Sequence, residues 1–543
     1  MFTIAESASA GVMVFAAAAI VAAYVEDRIG FDLHPWIVLA TAAAATAAVV
    51  VRAAGRLRRE SIGELLAFGL LAVATFLALM RLAWPHLLPP GSGTDLTHHL
   101  LLVDYIERHG HLPRDPSLAK YLGEMVDYTP GVHLLAVAAG RWLRTDGLHT
   151  IYTIIAASVA LKIGLVFLIA RRLFSRNAAA LPLALIAASV SLLPREYVVG
   201  SFTHSSYLAQ VASETFAVAM WWAAMAWNDE PGPMPALIAG IAGAATFLTW
   251  PVWIGPTTLL FAALVVVRRD VGLAERARDA AIACGPPAIV AAVYAAQRAG
   301  AASIAATTGF ALRPTLTTVG VPFALLAGVG VGVSLVRRVA RTNLVLLAAI
   351  GLQAAALFAL ARTRGAETPY LSLKMFYLAV YPLAVAGAIA VDTLLRVARR
   401  GHPRVVRAAW TVAIAFALVV GRDLLRMPRP RPVVSDELRD AGRWTRGHLP
   451  TECVDYLMAD DDTGYWLHLA VLGNPRDSPR ATSSETFEPS KALVRWVLPD
   501  GLPYAIVEDL DALPKDIREH VDVLARFGRA AVVRRRRSAP CGQ

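Results

Sequence analysis

Long apolar runs alternate with short polar connectors along most of the chain. The runs lie at 9–25, 35–52, 62–84, 149–170, 178–194, 209–227, 234–250, 251–267, 281–297, 317–336, 343–361, 372–395 and 406–421. Each approaches the roughly 20 residues that an α-helix needs to cross a hydrocarbon core of about 30 Å. The pattern predicts a polytopic α-helical membrane protein with about 13 transmembrane helices. One further run, "PGVHLLAVAAGRWL" (130–143), is short for a span and reads as a re-entrant or interfacial helix opened by Pro130. Beyond residue 421 the pattern changes. "RMPRPRPVV" (426–434) breaks the helix, and "DELRDAGRWTRGHL" (436–449) has helical spacing. "VDYLMAD" (454–460), "YAIVED" (504–509) and "AAVVRR" (530–535) read as short strands. A small α/β domain is expected over 422–543.

Composition agrees: 56% of the 543 residues are hydrophobic and only 17% are charged, against roughly 25% in soluble domains. The first run has no basic leader and no cleavage site, so it is expected to be a retained span. A net charge of +11 raises the question of nucleic acid. The basic residues answer it by their places: "RAAGRLRRE" (52–60), "RRLFSR" (171–176), "RRDVGLAERAR" (268–278), "RRVAR" (337–341) and "RVARRGHPRVVR" (396–407) are short connectors. Such loops face the cytoplasm. With the N-terminus inside and 130–143 not crossing, all of them fall inside. Connectors 26–34, 85–148, 195–208, 298–316 and 362–371 then fall outside, as does the C-terminal domain. "VVRRRRSAP" (533–540) lies outside too, which a long translocated domain tolerates. No repeat of fixed period is present. Cys284 sits in an apolar run, while Cys453 and Cys541 share the outer domain, where a disulfide and two free thiols are both open.

The outer connector 85–148 is long enough to be functional. Within it, "GTDLTHHLLLVDYIERHGHLP" (93–113) carries Leu96, Leu100, Val103 and Ile106 on one stripe, which predicts an amphipathic helix lying at the membrane surface. Asp95 at its start is either a helix cap or a general base that takes a proton from an attacking hydroxyl. Asp104 and Glu107 read as the solvated face. His98 and His99 are metal-ligand types, but neighbours on a helix point apart, so a divalent metal is not favoured and no other cofactor is called for. Lys374, with Arg362 and Arg364 before it and Arg81 near the end of run 62–84, offers positive charge beside an apolar groove. That suits a phosphate head group, and interfacial snorkelling is the competing reading. Glu214, with Gln210 one turn earlier, either lines a polar cavity or pairs with Lys162. Arg195, Glu196 and His204 in "PREYVVGSFTHSS" (194–206) are placed to shape the same pocket. "TWPVW" (249–253) fits an interfacial aromatic belt.

A span, an outer loop running from "GTD" to "HGHLP", then "YTPGVHLL", then a span ending in "ARRLFSR" resembles the GT-C superfamily of membrane glycosyltransferases. "YTPGVHLLAVAAGRWLRTDGLHT" looks like the "YPPL" helix of the protein mannosyltransferase and aminoarabinose transferase branches. "SLKMFYLAVYPLAVAGA" (371–387) looks like their late "RY…P" span, with Lys374 at the basic position. The resemblance covers roughly residues 60–420 and implies transfer of a sugar from a polyprenyl-phosphate donor to an envelope glycan, lipid or protein. The place would be the outer face of a bacterial inner (plasma) membrane. Asp95 would be the base, Lys374, Arg362, Arg364 and Arg81 would bind donor phosphate, and Glu214, Gln210, Arg195, Glu196, His204, His98 and His99 would line the acceptor pocket. The chain would divide into two additional N-terminal helices (1–60), a transmembrane core (61–421) and an extracytoplasmic domain (422–543). Two departures stand: the loop follows the third span and not the first, and no second acid adjoins Asp95. A transporter or flippase of a lipid-linked sugar, and a non-catalytic envelope assembly subunit of the same fold, are the alternatives.

Overall fold

The computed structural model describes all residues except 1, 55–56, 58–59, 92–93, 298–308, 367, 399–401, 433, 459, 472, 475–488, 499–500 and 537–543. Every apolar run forms helix. In chain order these are α1 (Ile4–Arg28), α2 (Pro35–Ala54) and α3 (Ile62–Ala83). The loop region contributes α4 (Thr94–His109) and α5 (Gly131–Leu143). Then follow α6 (Gly147–Leu173), α7 (Ala180–Ser191), α8 (Leu208–Asp229), α9 (Pro233–Thr249) and α10 (Ile254–Val267). The bundle closes with α11 (Leu273–Gln297), α12 (Val321–Arg337), α13 (Arg341–Thr363), α14 (Tyr370–Ala398) and α15 (His402–Arg426).

Among the described residues, eight helices are long and apolar enough to cross a membrane: α1, α2, α3, α6, α11, α13, α14 and α15. The protein is a multi-pass membrane protein. The expected thirteen spans therefore divide. The apolar helices α7, α9, α10 and α12 are shorter, and α8 has the length but carries Glu214. At about 1.5 Å per residue, α5 and α7 reach only some 20 Å, short of a bilayer core. The helices pack closely where residues are small: a side chain at Gly330 of α12 would collide with the Ala386 carbonyl of α14.

Contacts sort the connectors into two ends. At one, Asp27 accepts from the Leu112 amide (2.8 Å), the Gly91 amide donates to the Arg431 carbonyl (3.1 Å), and the Tyr197 hydroxyl donates to the Leu312 carbonyl (3.2 Å). At the other, Arg171 pairs with Glu64, Arg172 with Glu6 and Asp229, Arg268 donates to the Asn228 carbonyl, and Asn177 bonds Asp392 (2.9 Å). The basic connectors 171–176 and 268–278 thus fall at the same end of the bundle.

The helix α4 is covered on more than its apolar stripe: Leu96 to Ile106 are all buried. One side packs on α5 and α6, and residues 461–471 from the far end of the chain cover the other. Asp104 is likewise not on a solvated face: it is buried and bonds Arg108 at 2.7 Å. Glu107 is half-buried and accepts from the Gly147 amide (2.9 Å), satisfying a free donor at the start of α6. No local pattern reports such a cover, because it arrives from more than 350 residues away in sequence.

The cover belongs to a C-terminal α/β unit. It opens with α16 (Asp436–His448), and β1 (Val454–Leu457), β2 (Tyr504–Val507), β3 (Val521–Phe527) and β4 (Ala530–Arg535) form one sheet in the order β1-β2-β4-β3. The pair β1–β2 is parallel and the others are antiparallel. Three strands match the expected ones, and β3, half-hidden by its charges in "VDVLARF", is an addition. Cys453 is disulfide-bonded, and Cys541 lies outside the described residues.

Candidate functional site

The helix α14 opens with Tyr370, Lys374, Tyr377 and Tyr381 at spacings of four, three and four, which puts them on one face. Lys374 is fully buried, at 0% exposure. Its ammonium nitrogen lies 2.7 Å from the centre of the Tyr207 ring, 5.0 Å from that of Tyr370 and 5.3 Å from that of Tyr377. Among the described residues it has no hydrogen-bond acceptor. Ring faces attract a cation by roughly 2 kcal/mol when desolvated. They leave its N–H donors unused, so the cage holds an amine whose hydrogen-bonding capacity is unspent.

Asp95 faces the same charge. The helix α4 begins at Thr94, so Asp95 sits inside its first turn and is not the cap. There the helix dipole favours a carboxylate. The side chain keeps an exposed edge, yet the protein around it removes enough water to raise its pKa above the usual 3.8. His98, and after it Lys374, pull the value back, while Glu124 pushes it up. Asp95 and Lys374, from elements far apart in the chain, are thus close enough to act on each other electrostatically. They are not locked into a salt bridge, so both remain able to serve a third molecule.

The two histidines diverge, as neighbours on a helix must. His98 points to Glu124 (2.6 Å) and lies 3.4 Å from the Tyr465 hydroxyl of the C-terminal unit. His99 turns inward to His133, with 2.9 Å between ring nitrogens and near-parallel rings, and Tyr128 stands edge-on to both. Burial pushes the His99 pKa down to about 3, so it is neutral and one ring of the pair donates to the other. Among the described residues no three His, Cys, Asp or Glu side chains are grouped to hold a metal ion.

Glu214 lies deeper and is fully buried. Its carboxylate accepts from Lys162 (2.6 Å), Tyr381 (2.8 Å) and Gln210 (3.2 Å), which satisfies it within the protein. Arg362 and Arg364 stand exposed at the end of α13, near the start of α14, with the Arg362 guanidinium 5.3 Å over the Phe358 ring. Arg81 is committed elsewhere: it donates to the carbonyls of Leu424 (3.1 Å) and Met427 (2.7 Å) at the end of α15. Arg195, Glu196 and His204 form their own cluster, with Glu196 3.2 Å from Arg195 and 3.3 Å from His204. Residues 91 and 203–206 join that cluster to the Asp95 loop. Gly91 has φ +126°, and a side chain there would stand 2.9 Å from the Thr203 carbonyl oxygen.

Sequence reasoning missed the tyrosines. Tyr370, Tyr377 and Tyr381 were legible as a stripe sharing a face with Lys374. Tyr207 was not, because it reaches Lys374 from another segment. His133 and Glu124 give no sequence signal of their roles.

No family model matches the sequence, and no curated protein matches it either. Solved structures do. ArnT from Cupriavidus metallidurans, bound to undecaprenyl phosphate, aligns with a TM-score of 0.50 at 15% identity, over 87% of this chain and 98% of that one. The chain shares the ArnT fold. The apo form of the same protein aligns at 0.47 and 15% identity, over 86% and 97% of the two chains. The Archaeoglobus fulgidus oligosaccharyltransferase aligns at 0.48 and 15% identity, over 82% of this chain and 70% of its own. The resemblance read from the loop and the late span thus has its counterpart in the fold.

Proposed function

We propose that this protein is a membrane glycosyltransferase that moves a sugar from a polyprenyl-phosphate carrier to an acceptor hydroxyl. The observation that carries the reading is the caged, acceptor-free ammonium of Lys374 in the electrostatic field of Asp95. The ArnT structure, bound to undecaprenyl phosphate, supports the carrier class. The reaction lies on the extracytoplasmic face of a bacterial plasma membrane, because the basic connectors gather at the opposite end of the bundle. Residues 1–60 are an N-terminal addition, 61–421 the transferring core and 422–543 an outer unit.

In this reading the carrier phosphate enters the tyrosine cage and takes the unused N–H donors of Lys374, while Arg362 and Arg364 draw the anion in from the surface. The acceptor hydroxyl gives its proton to Asp95 as its oxygen bonds to the anomeric carbon. The bond from that carbon to the phosphate oxygen breaks, and Lys374 stabilises the charge left on the carrier phosphate. Burial of Asp95 helps, since a base works best with a pKa drawn toward the operating pH. The test is transfer of labelled sugar from a panel of polyprenyl-phosphate donors to membrane acceptors. Asp95→Asn should lower turnover by about 10²–10⁴-fold at equal folded protein. A variant as active as the parent would remove Asp95 from the chemistry. No transfer by the parent from any donor would sink the reading.

A further inference from the structure

A second polar cavity lies beside the Lys374 cage. It measures about 260 Å³ and opens between the turn after α7, the short helix Leu316–Val319 and the end of α15. Its lining is split by chemistry. Arg195, Glu196 and Asp423 bring charge, and Thr318 brings a hydroxyl. Leu192 and Val420 are apolar, and Val420 comes from a membrane-crossing helix. Asp423 is exposed and has no ion-pair partner among the described residues. Arg81 fixes the α15 wall through the Leu424 carbonyl, so its guanidinium shapes this cavity and not the cage.

One aromatic layer separates the two sites. Tyr197, next to Glu196, has its ring 4.8 Å from that of Tyr377, which lies 5.3 Å from the Lys374 nitrogen. We propose that this cavity binds the hydroxyl-rich, uncharged head of an amphiphile, the glycolipid acceptor of the transfer reaction. The proposal rests on the transferase reading for the word acceptor, but not for the site. The volume falls just under the roughly 300 Å³ at which drug-sized ligand pockets begin, so it holds about one sugar unit. Two carboxylates with one guanidinium accept from and donate to hydroxyls, and they repel a phosphate head. The apolar wall continues down α15 into the bilayer, where a lipid tail lies.

The experiment uses the full chain in nanodiscs with a photoreactive octyl glucoside, and a photoreactive octyl phosphocholine as the charged control. Labelled peptides are then mapped. The glucoside should mark residues 192–196 and 316–320 in preference to the phosphocholine. Arg195→Ala with Asp423→Ala should cut that labelling about tenfold, the loss of a charge-assisted contact. Thr318→Trp, which fills the cavity, should do the same, and Lys374→Met should leave it unchanged. Equal labelling by both probes, or labelling indifferent to all cavity variants, overturns the site. Specific labelling without sugar transfer from any donor would keep the site and sink the transferase reading. Transfer without cavity labelling would sink the site alone.

Discussion

Two lysines in this bundle are buried to the same extent, and their surroundings are opposite. Lys162 lies 2.6 Å from Glu214, whose remaining capacity is taken by Tyr381 and Gln210. Lys374 has three tyrosine rings and no acceptor among the described residues. A buried ion costs several kcal/mol unless it is paired and hydrogen-bonded. The first lysine is therefore complete as part of the fold. The second has unused donors, which is why the proposed function assigns it the carrier phosphate.

Substitution at each lysine should separate the two roles. Lys374→Met should lower sugar transfer by about 10²–10³-fold, the usual cost of one electrostatic stabiliser. Its thermal midpoint should hold or rise, because an unpaired buried cation is removed. A large fall in the midpoint with transfer intact would make Lys374 structural. Lys162→Met should do the reverse and lower stability by about 3–5 kcal/mol, by stranding the Glu214 carboxylate. Adding Glu214→Gln should restore most of that loss, since the amide still bonds Tyr381 and Gln210. Denaturation in detergent reads both.

The pH dependence of kcat/KM sharpens the comparison on the Asp95 side. The base acts only when ionised, and burial holds its pKa above 3.8. Activity should therefore fall as pH drops through that raised value, with the acid limb above the ordinary aspartate range. The sign for stability is opposite. A raised folded pKa means that the native state prefers the protonated form, so Asp95→Asn should not destabilise the protein at neutral pH. An acid limb at or below 3.8 would contradict the raised pKa of Asp95. The smallest effect is expected at Arg81. Arg81→Ala should cost about 1–3 kcal/mol through two lost carbonyl contacts and leave the donor KM unchanged. A raised donor KM would return Arg81 to the phosphate site.

The legible part of this protein was the part governed by short-range pattern. Apolar runs placed the bundle helices, because a bilayer leaves the backbone of a spanning segment few alternatives to helix. Alternation placed three of the four strands. Asp95 and Lys374 were legible as candidates by residue type and by position at the ends of apolar runs. Neither their meeting nor the Tyr207 ring between helices was. Tyr207 and residues 461–471 reach the site from distant segments, and no periodicity reports on distant segments.

The same division separates what each level decided. The sequence by itself determined that the chain is a helical membrane protein and where its helices and three of its strands lie, because burial of apolar area and the cost of burying charge act residue by residue. Only the tertiary structure decided which buried charges are satisfied. It paired Lys162 with Glu214, left Lys374 among rings, turned His98 and His99 to different partners, and spent Arg81 on a helix end. Satisfaction of a buried polar group depends on what stands within about 3 Å of it, and that distance is set by packing between segments that the order of residues does not bring together.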